Sequence, residues 1–369
     1  MPPLAVSPKC ESILRLLATH RNVLLQGVPA AGKTRLLQEV REAFESVAHS
    51  LPGFTPGSRV TVPATAIMPE WVPSPGRSDR LVLSMTMAPS TRYRHLLRDL
   101  EVSPGAGSAV TYRISEGLLH RANQFAITDR GAALLIVDEL NRGPAVEVFG
   151  PALAALEANK RAGDDDVPVP GKTAFFQLAD DTGALQNAFL SPHVYVLAAM
   201  NRADISAEAL DSAFLRRFQY FELLPDESVL RESFGLPSLD SRTLPATTTN
   251  PADVLEAAVR ALSAVNERLR FGAGEDMQIG HGILLAQSVE GLDITHTKRV
   301  IREQWNLVER HVREVFFGND AATAEVLGVR PGGAHPYFLE STRFSDQEAV
   351  RLVRPVGADT YSLLLAIAT

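Results

Sequence analysis

The 369-residue sequence has one cysteine, Cys10. It can form no intrachain disulfide and no multi-cysteine metal site. Long apolar runs are also missing. The longest, such as 132–137 and 363–368, fall well short of the roughly 18 residues a membrane-spanning helix needs. The opening residues, MPPLAVSPKC, lack the basic-then-apolar order of a secretory signal. The cytoplasm is therefore the expected compartment, with no membrane partner. Positive charge is not in surplus either. Lysine and arginine total 36 against 43 aspartates and glutamates, a net charge of −7. That excludes a domain-wide basic field for gripping nucleic acid, so any DNA contact is expected to be indirect or weak. Disorder is excluded as well, because 45% of the residues are hydrophobic and 21% charged. The length implies about two domains at roughly 150 residues each.

Periodicity organises the chain. Apolar residues at helical spacing predict helices over 9–19 and 33–47, and 22–26 is a short apolar run that meets glycine, the pattern of a buried parallel strand. Residues 51–79 hold six prolines and three glycines and read as an irregular insertion. Strands are then expected at 81–87, 132–137, 193–200 and 218–223, and helices at 92–100, 145–158 and 206–215. Residues 163–171 read as a solvated loop, and 175–178 as one strand of a hairpin. Strands alternating with helices predict an α/β core with a parallel sheet over 1–225. A Ser/Thr/Pro-rich stretch at 238–251 leads into helices at 252–269 and 298–317, a small helical lid over 226–330. The tail, 331–369, reads as a short β-hairpin with strands at 349–353 and 361–367.

Three constellations carry chemistry. Gly27-Val28-Pro29-Ala30-Ala31-Gly32-Lys33-Thr34 matches G-x-x-x-x-G-K-[ST] and sits between a predicted strand and a predicted helix. Its backbone amides and the positive helix end suit phosphate oxygens, Lys33 adds a point charge, and the Thr34 hydroxyl can ligate Mg²⁺. The strand at 132–137 ends in Asp138-Glu139. Asp138 suits the Mg²⁺ hydration shell, and Glu139 suits polarising the attacking water. Finally, the strand ending in Met200-Asn201 places a water-orienting amide, and Arg216-Arg217 follows at a helix end. Arginines outside their own subunit's pocket can reach the γ-phosphate of a neighbour.

In this order the chain resembles the AAA+ ATPases: phosphate loop, Asp-Glu strand, sensor asparagine, arginine finger, helical lid. Within them it most resembles the McrB-like branch, the NTPase motors of modification-dependent restriction systems. Four stretches carry the likeness. They are Asp138-Glu139-Leu140-Asn141-Arg142-Gly143 with Phe149-Gly150 and Glu157…Lys160-Arg161; Met200-Asn201-Arg202-Ala203-Asp204; Leu215-Arg216-Arg217-Phe218-Gln219-Tyr220-Phe221; and Gln278-Ile279-Gly280-His281-Gly282. The resemblance covers roughly residues 20–320. The sequence departs from the branch at Arg202 and Ile205, near the nucleotide, so the substrate stands as ATP or GTP.

The resemblance implies a homo-oligomeric ring, a hexamer, with Mg²⁺ and nucleotide between subunits. One subunit would supply Lys33, Thr34, Asp138, Glu139 and Asn201, and its neighbour Arg216 and Arg217. It further implies a polar relay of Asn141, Arg142 and Asp204 that positions Asn201, and a McrC-like nuclease or other effector as partner. His281 reads equally as a nucleotide sensor or as a histidine packed in the lid. A MoxR-like chaperone ATPase and a nucleotide-gated assembly scaffold are the alternative readings. Only 26 residues precede Gly27, so the expectation is an NTPase ring whose DNA recognition and cutting belong to other chains.

Overall fold

The computed structural model describes residues 6–45, 60–61, 71–104, 110–180, 182–203, 210–330, 335–344, 347–354 and 357–369. It gives the backbone alone at 60–61, 100–104, 110–113, 342, 344 and 347–349. In chain order the elements are α1 (Pro8–His20), β1 (Asn22–Gly27), α2 (Lys33–Glu45), β2 (Val60–Thr61), β3 (Asp79–Thr86), α3 (Tyr93–Leu96), β4 (Arg98–Pro104) and β5 (Val110–Glu116). They continue with α4 (Leu118–Thr128), β6 (Ala132–Asp138), α5 (Ala145–Phe149), β7 (Phe176–Ala179), β8 (Leu185–Ala188), β9 (Val194–Asn201), α6 (Ser212–Leu215) and β10 (Gln219–Leu223). The last elements are α7 (Glu227–Ser233), α8 (Pro251–Gly272), α9 (Ile294–Val315), α10 (Asp320–Val326), β11 (Phe338–Phe344), β12 (Gln347–Val353) and α11 (Thr360–Ala368). Among the described residues no helix is long and apolar enough to cross a membrane.

The chain divides into two compact units. The first comprises 1–26 and 33–222. Its sheet runs β10-β1-β9-β6-β3-β2, with five parallel strands and β2 as an antiparallel edge. Val137 lies opposite Ala198, and Asp138 opposite Thr86. Parallel strands share a carboxyl edge, where α/β proteins place their ligands. Asp138 and Asn201 stand on that edge because each is the last residue of its strand. Six of the seven β6 residues are buried, as expected for a strand covered on both faces.

The second unit comprises 27–32 and 223–369. Its core gathers Val254, Ala258 and Val265 of α8, Trp305 and Val308 of α9, and Leu363, Leu364 and Ile367 of α11. Beneath α8 runs an ionic cluster. The fully buried Glu256 accepts from Arg231 at 2.9 and 3.1 Å and from Arg260 at 2.6 Å.

Several elements differ from the sequence-based expectation. The tail does contain a hairpin, but its strands are β11 and β12, and the expected second strand at 361–367 is the helix α11. Asp359 caps that helix by accepting from Ser362 N at 3.0 Å. Tyr361, Leu364 and Ile367, spaced three apart, are buried in the second unit's core. Burial of that stripe, at about 1.5–3 kcal/mol per large side chain, outweighs the strand preference of an apolar run. The tail thus belongs to the unit that holds the lid helices.

The helix expected over 92–100 stops at Leu96, and the chain turns into the β4–β5 hairpin. Gly117 pins that point, since its N–H donates to Leu97 O at 2.6 Å and a Cβ there would lie 2.3 Å from Leu97 O. The helix expected over 145–158 ends at Phe149, because Gly150 takes φ +40 and Pro151 has no N–H to continue it. Of the helix expected over 206–215, residues 212–215 are helical. Residues 206–209 lie outside the described set, as do 51–59 and 62–70 of the insertion.

Candidate functional site

In the first unit the site is built where β6 and β9 end. Glu139 follows β6 with φ 52, a left-handed conformation rare for a side-chain-bearing residue, and its N–H donates to Asp138 Oδ1 at 2.9 Å. Such strain persists only where the surroundings hold it, and it marks functional turns. The Glu139 carboxylate accepts from Asn201 Nδ2 at 3.3 and 3.4 Å and pairs with Arg142 Nε at 3.2 Å. Asn141, buried beside it, donates from Nδ2 to Asn201 O at 2.9 Å, while its Oδ1 has no donor among the described residues. Two of the three expected relay residues therefore meet Glu139 and Asn201. The third, Asp204, lies outside the described residues.

Lys33 opens α2. Burial lowers its pKa to about 8, against the upward pull of Glu139 and Asp138. A lysine so placed is charged most readily when an anion joins it. Thr34 follows on the same helix turn. The Asp138 carboxylate and the Thr34 hydroxyl are hard oxygen donors, the kind Mg²⁺ takes alongside water and phosphate oxygens, so the residues present fit that ion. Among the described residues there is no cluster of three or more His, Cys, Asp or Glu able to hold a metal by itself.

The loop residues 27–32 belong to the second unit, where the Gln278–Gly282 segment holds them. Gly280 N–H donates to Pro29 O and Gly282 N–H to Ala30 O, both at 2.8 Å. Ala30 and Gly32 have φ +60 and +89, which turns the loop back on itself. The contact is backbone to backbone, and only glycine fits. A Cβ on Gly280 would stand 2.1 Å from Ala30 C, and one on Gly282 2.7 Å from Ala30 O. Asn266 of α8 fixes the clasp from behind, accepting from Ile279 N at 2.7 Å and donating to Ile279 O at 2.8 Å. His281 is buried. Its Nδ1 accepts from Asp226 N at 3.3 Å, which places the ring proton on Nε2, and a Cβ on Gly32 would lie 3.6 Å from that nitrogen. The imidazole is thus packed in the lid, with Nε2 near Gly32 of the loop.

Sequence reasoning singled out His281 and missed the role of its neighbours. The two glycines flanking it were the available signal. Asn266 carried none.

The two arginines separate. Arg217 turns inward. Its guanidinium donates to Leu153 O at 2.8 Å and to Ala213 O, pairs with Glu157 at 3.2 Å, and its side chain is 9% exposed. Its guanidinium is thus bonded within its own chain. Arg216 remains 68% exposed, and its ion pair among the described residues is to Glu157 at 3.9 Å.

Comparison with known proteins agrees with this geometry. Residues 77–218 match the AAA domain, dynein-related subfamily. The chain is 22% identical over 275 residues to the type IV methyl-directed restriction enzyme EcoKMcrB subunit of Escherichia coli (strain K12), covering 73% of this chain and 49% of that protein. It is 28% identical over 222 residues to the type II restriction enzyme BsuMI component YdiS of Bacillus subtilis (strain 168), covering 58% of this chain and 60% of that one. The chain thus spans about half the length of the first relative and three-fifths of the second. Among solved structures, NtrX from Brucella abortus in complex with ATP is 14% identical, with 89% of this chain and 67% of that chain covered and a TM-score of 0.32. Over residues 77–218 the chain is thus similar to the AAA domain of the dynein-related subfamily, and as a whole it is similar to two restriction-enzyme subunits, EcoKMcrB and the BsuMI component YdiS.

Proposed function

We propose that the chain is a ring-forming NTPase that hydrolyses ATP or GTP as the motor or regulatory subunit of a McrBC-like restriction or anti-phage complex. The observation that carries this reading is the group at the sheet's carboxyl edge. Glu139 touches Asn201 at 3.3 Å, beside the lysine whose charge Asp138 and Glu139 support. That is the equipment for activating water next to a phosphate, and an N–H···O contact of this length has room to shorten when substrate arrives.

In the proposed reaction the amides of 27–32 and Lys33 bind the β- and γ-phosphates. Thr34 and Asp138 would hold Mg²⁺, which when bound neutralises phosphate charge. Asn201 orients a water, and Glu139 takes its proton as the water oxygen bonds to the γ-phosphorus. The bond to the bridging oxygen breaks, and the nucleoside diphosphate leaves with its new charge facing Lys33. Arg216 of a neighbouring subunit stabilises the equatorial oxygens, a contribution worth about 10³–10⁵ in rate in comparable enzymes.

The test is turnover with ATP and with GTP, alone and with a McrC-like nuclease subunit. Glu139→Gln should abolish turnover and keep nucleotide binding. Stimulation by the nuclease supports the restriction reading. Stimulation only by a protein client would instead favour a remodelling chaperone. Full activity in Glu139→Gln would overturn the assignment of the site.

A further inference from the structure

We infer that Glu157 is a positioning residue for the arginine that acts on a neighbouring subunit, an inference that rests on the ring reading above. Glu157 lies far from Glu139 in sequence, and nothing in the hydrolytic site uses it. The structure shows what does. Glu157 begins a single helical turn, Ala158–Lys160, and its carboxylate faces the guanidinium groups of Arg217 at 3.2 Å and Arg216 at 3.9 Å.

These partners are unequal. Arg217 is immobile, because Leu153 O and Ala213 O accept from it and Asn22 Nδ2 donates to its carbonyl at 2.9 Å. The stretch carrying Glu157 is equally fixed. Leu156 O accepts from Asn22 at 2.7 Å, and the buried Arg161 donates to Asn22 Oδ1 at 2.7 Å and to Leu156, Ser191 and Val194 carbonyls. Asn22 thus ties the two segments into one frame. Arg217 neutralises Glu157, and the carboxylate's remaining reach falls on Arg216.

Arg216 therefore stands as the surplus positive charge at a cavity of about 420 Å³, shared with His20, Asn159 and Gln219. Its guanidinium has one loose ion partner among the described residues. An ion pair of that length on an exposed side chain restrains it weakly, and a phosphate oxygen brought by a neighbour competes with it successfully. The arrangement aims the side chain at the cavity mouth without holding it back. It also explains the Glu157…Lys160-Arg161 pattern, in which the glutamate aims the finger and Arg161 builds the frame beneath it.

The experiment uses the full chain in its nucleotide-bound assembly, with ATP and GTP as probes. Glu157→Gln keeps an oxygen for Arg217 and removes the charge. Freeing one rotamer-rich side chain should lower kcat about 3- to 10-fold, with KM within twofold and the assembly size unchanged by light scattering. Glu157→Asp should recover part of the loss. The deciding readout is non-additivity. Glu157→Gln combined with Arg216→Ala should be no slower than Arg216→Ala alone, because the glutamate acts through that arginine. Wild-type kcat in Glu157→Gln, or losses that multiply in the double variant, would overturn the inference while leaving the ring reading intact. Full activity in Arg216→Ala would overturn both.

Discussion

Gly280→Ala isolates the contact between the lid motif and the phosphate loop. Gly280 has φ −68 and ψ 154, a conformation alanine adopts freely, so the backbone itself resists nothing. Space alone forbids the methyl. Its Cβ would stand 2.1 Å from Ala30 C, 2.2 Å from Ala31 N and 2.3 Å from Ala30 O, where ordinary contact begins at 3.4 Å. The segments must part by about 1.3 Å (3.4 − 2.1) to reach that separation. The 2.8 Å bonds from Gly280 N to Pro29 O and from Gly282 N to Ala30 O then stretch to about 4.1 Å, past hydrogen-bond reach. Two net hydrogen bonds are worth about 2 kcal/mol. If the loop must return to its clasped form to bind phosphate, that energy weakens nucleotide affinity about 30-fold. Titration with a fluorescent nucleotide measures it. Gly76→Ala is the control, since a Cβ there meets nothing within 4 Å and affinity should not move. Wild-type affinity in a folded Gly280→Ala protein would refute the claim that the clasp shapes the loop.

Four further outcomes are expected. Lys33 has its pKa lowered to about 8 by burial, so nucleotide binding near pH 8 should draw in about half a proton and binding at pH 6 almost none; calorimetry in buffers of different ionisation enthalpy reads this, and equal uptake at both pH values would contradict it. The same depression means that between pH 8 and 10.5 the unfolded chain binds more protons at this lysine, so its contribution to stability rises with pH in that window. Asn141→Ala removes the bond to Asn201 O, worth about 1 kcal/mol, and should lower kcat about fivefold with nucleotide affinity unchanged; a change confined to affinity would show that Asn141 serves binding instead. Glu256→Ala removes the buried carboxylate shared by the buried Arg231 and the partly exposed Arg260 and should destabilise the fold by about 3–5 kcal/mol in denaturant titrations, whereas a loss below about 1 kcal/mol would mean that their remaining partners and water compensate.

Legibility followed the range of the forces involved. β1, β3, β6 and β9 were readable because a strand with a buried body needs an unbroken apolar run. α1, α8 and α9 were readable from their apolar stripes. The residues closing the core strands were readable because a carboxylate or amide at a strand's end is local in sequence. What failed was decided across distance. α3 ends where Gly117, twenty residues on, takes up Leu97 O. α11 is a helix because α8 and its neighbours offer an apolar surface with a helical footprint. An apolar run such as Tyr361 to Ile367 fits either period by itself.

The sequence by itself determined the chemical inventory: a phosphate loop, an acidic pair, an amide and exposed cations, in an order that needs a parallel sheet. Tertiary structure decided which of two adjacent arginines is buried and which is exposed. Arg216 and Arg217 are chemically identical and differ by one position. Among the described residues one finds three acceptors on its own chain and the other a single loose partner. It also decided why the lid motif holds glycines on both sides of His281. Their value lies in atoms they lack, and a missing Cβ has meaning only once Ala30 is seen to occupy its place.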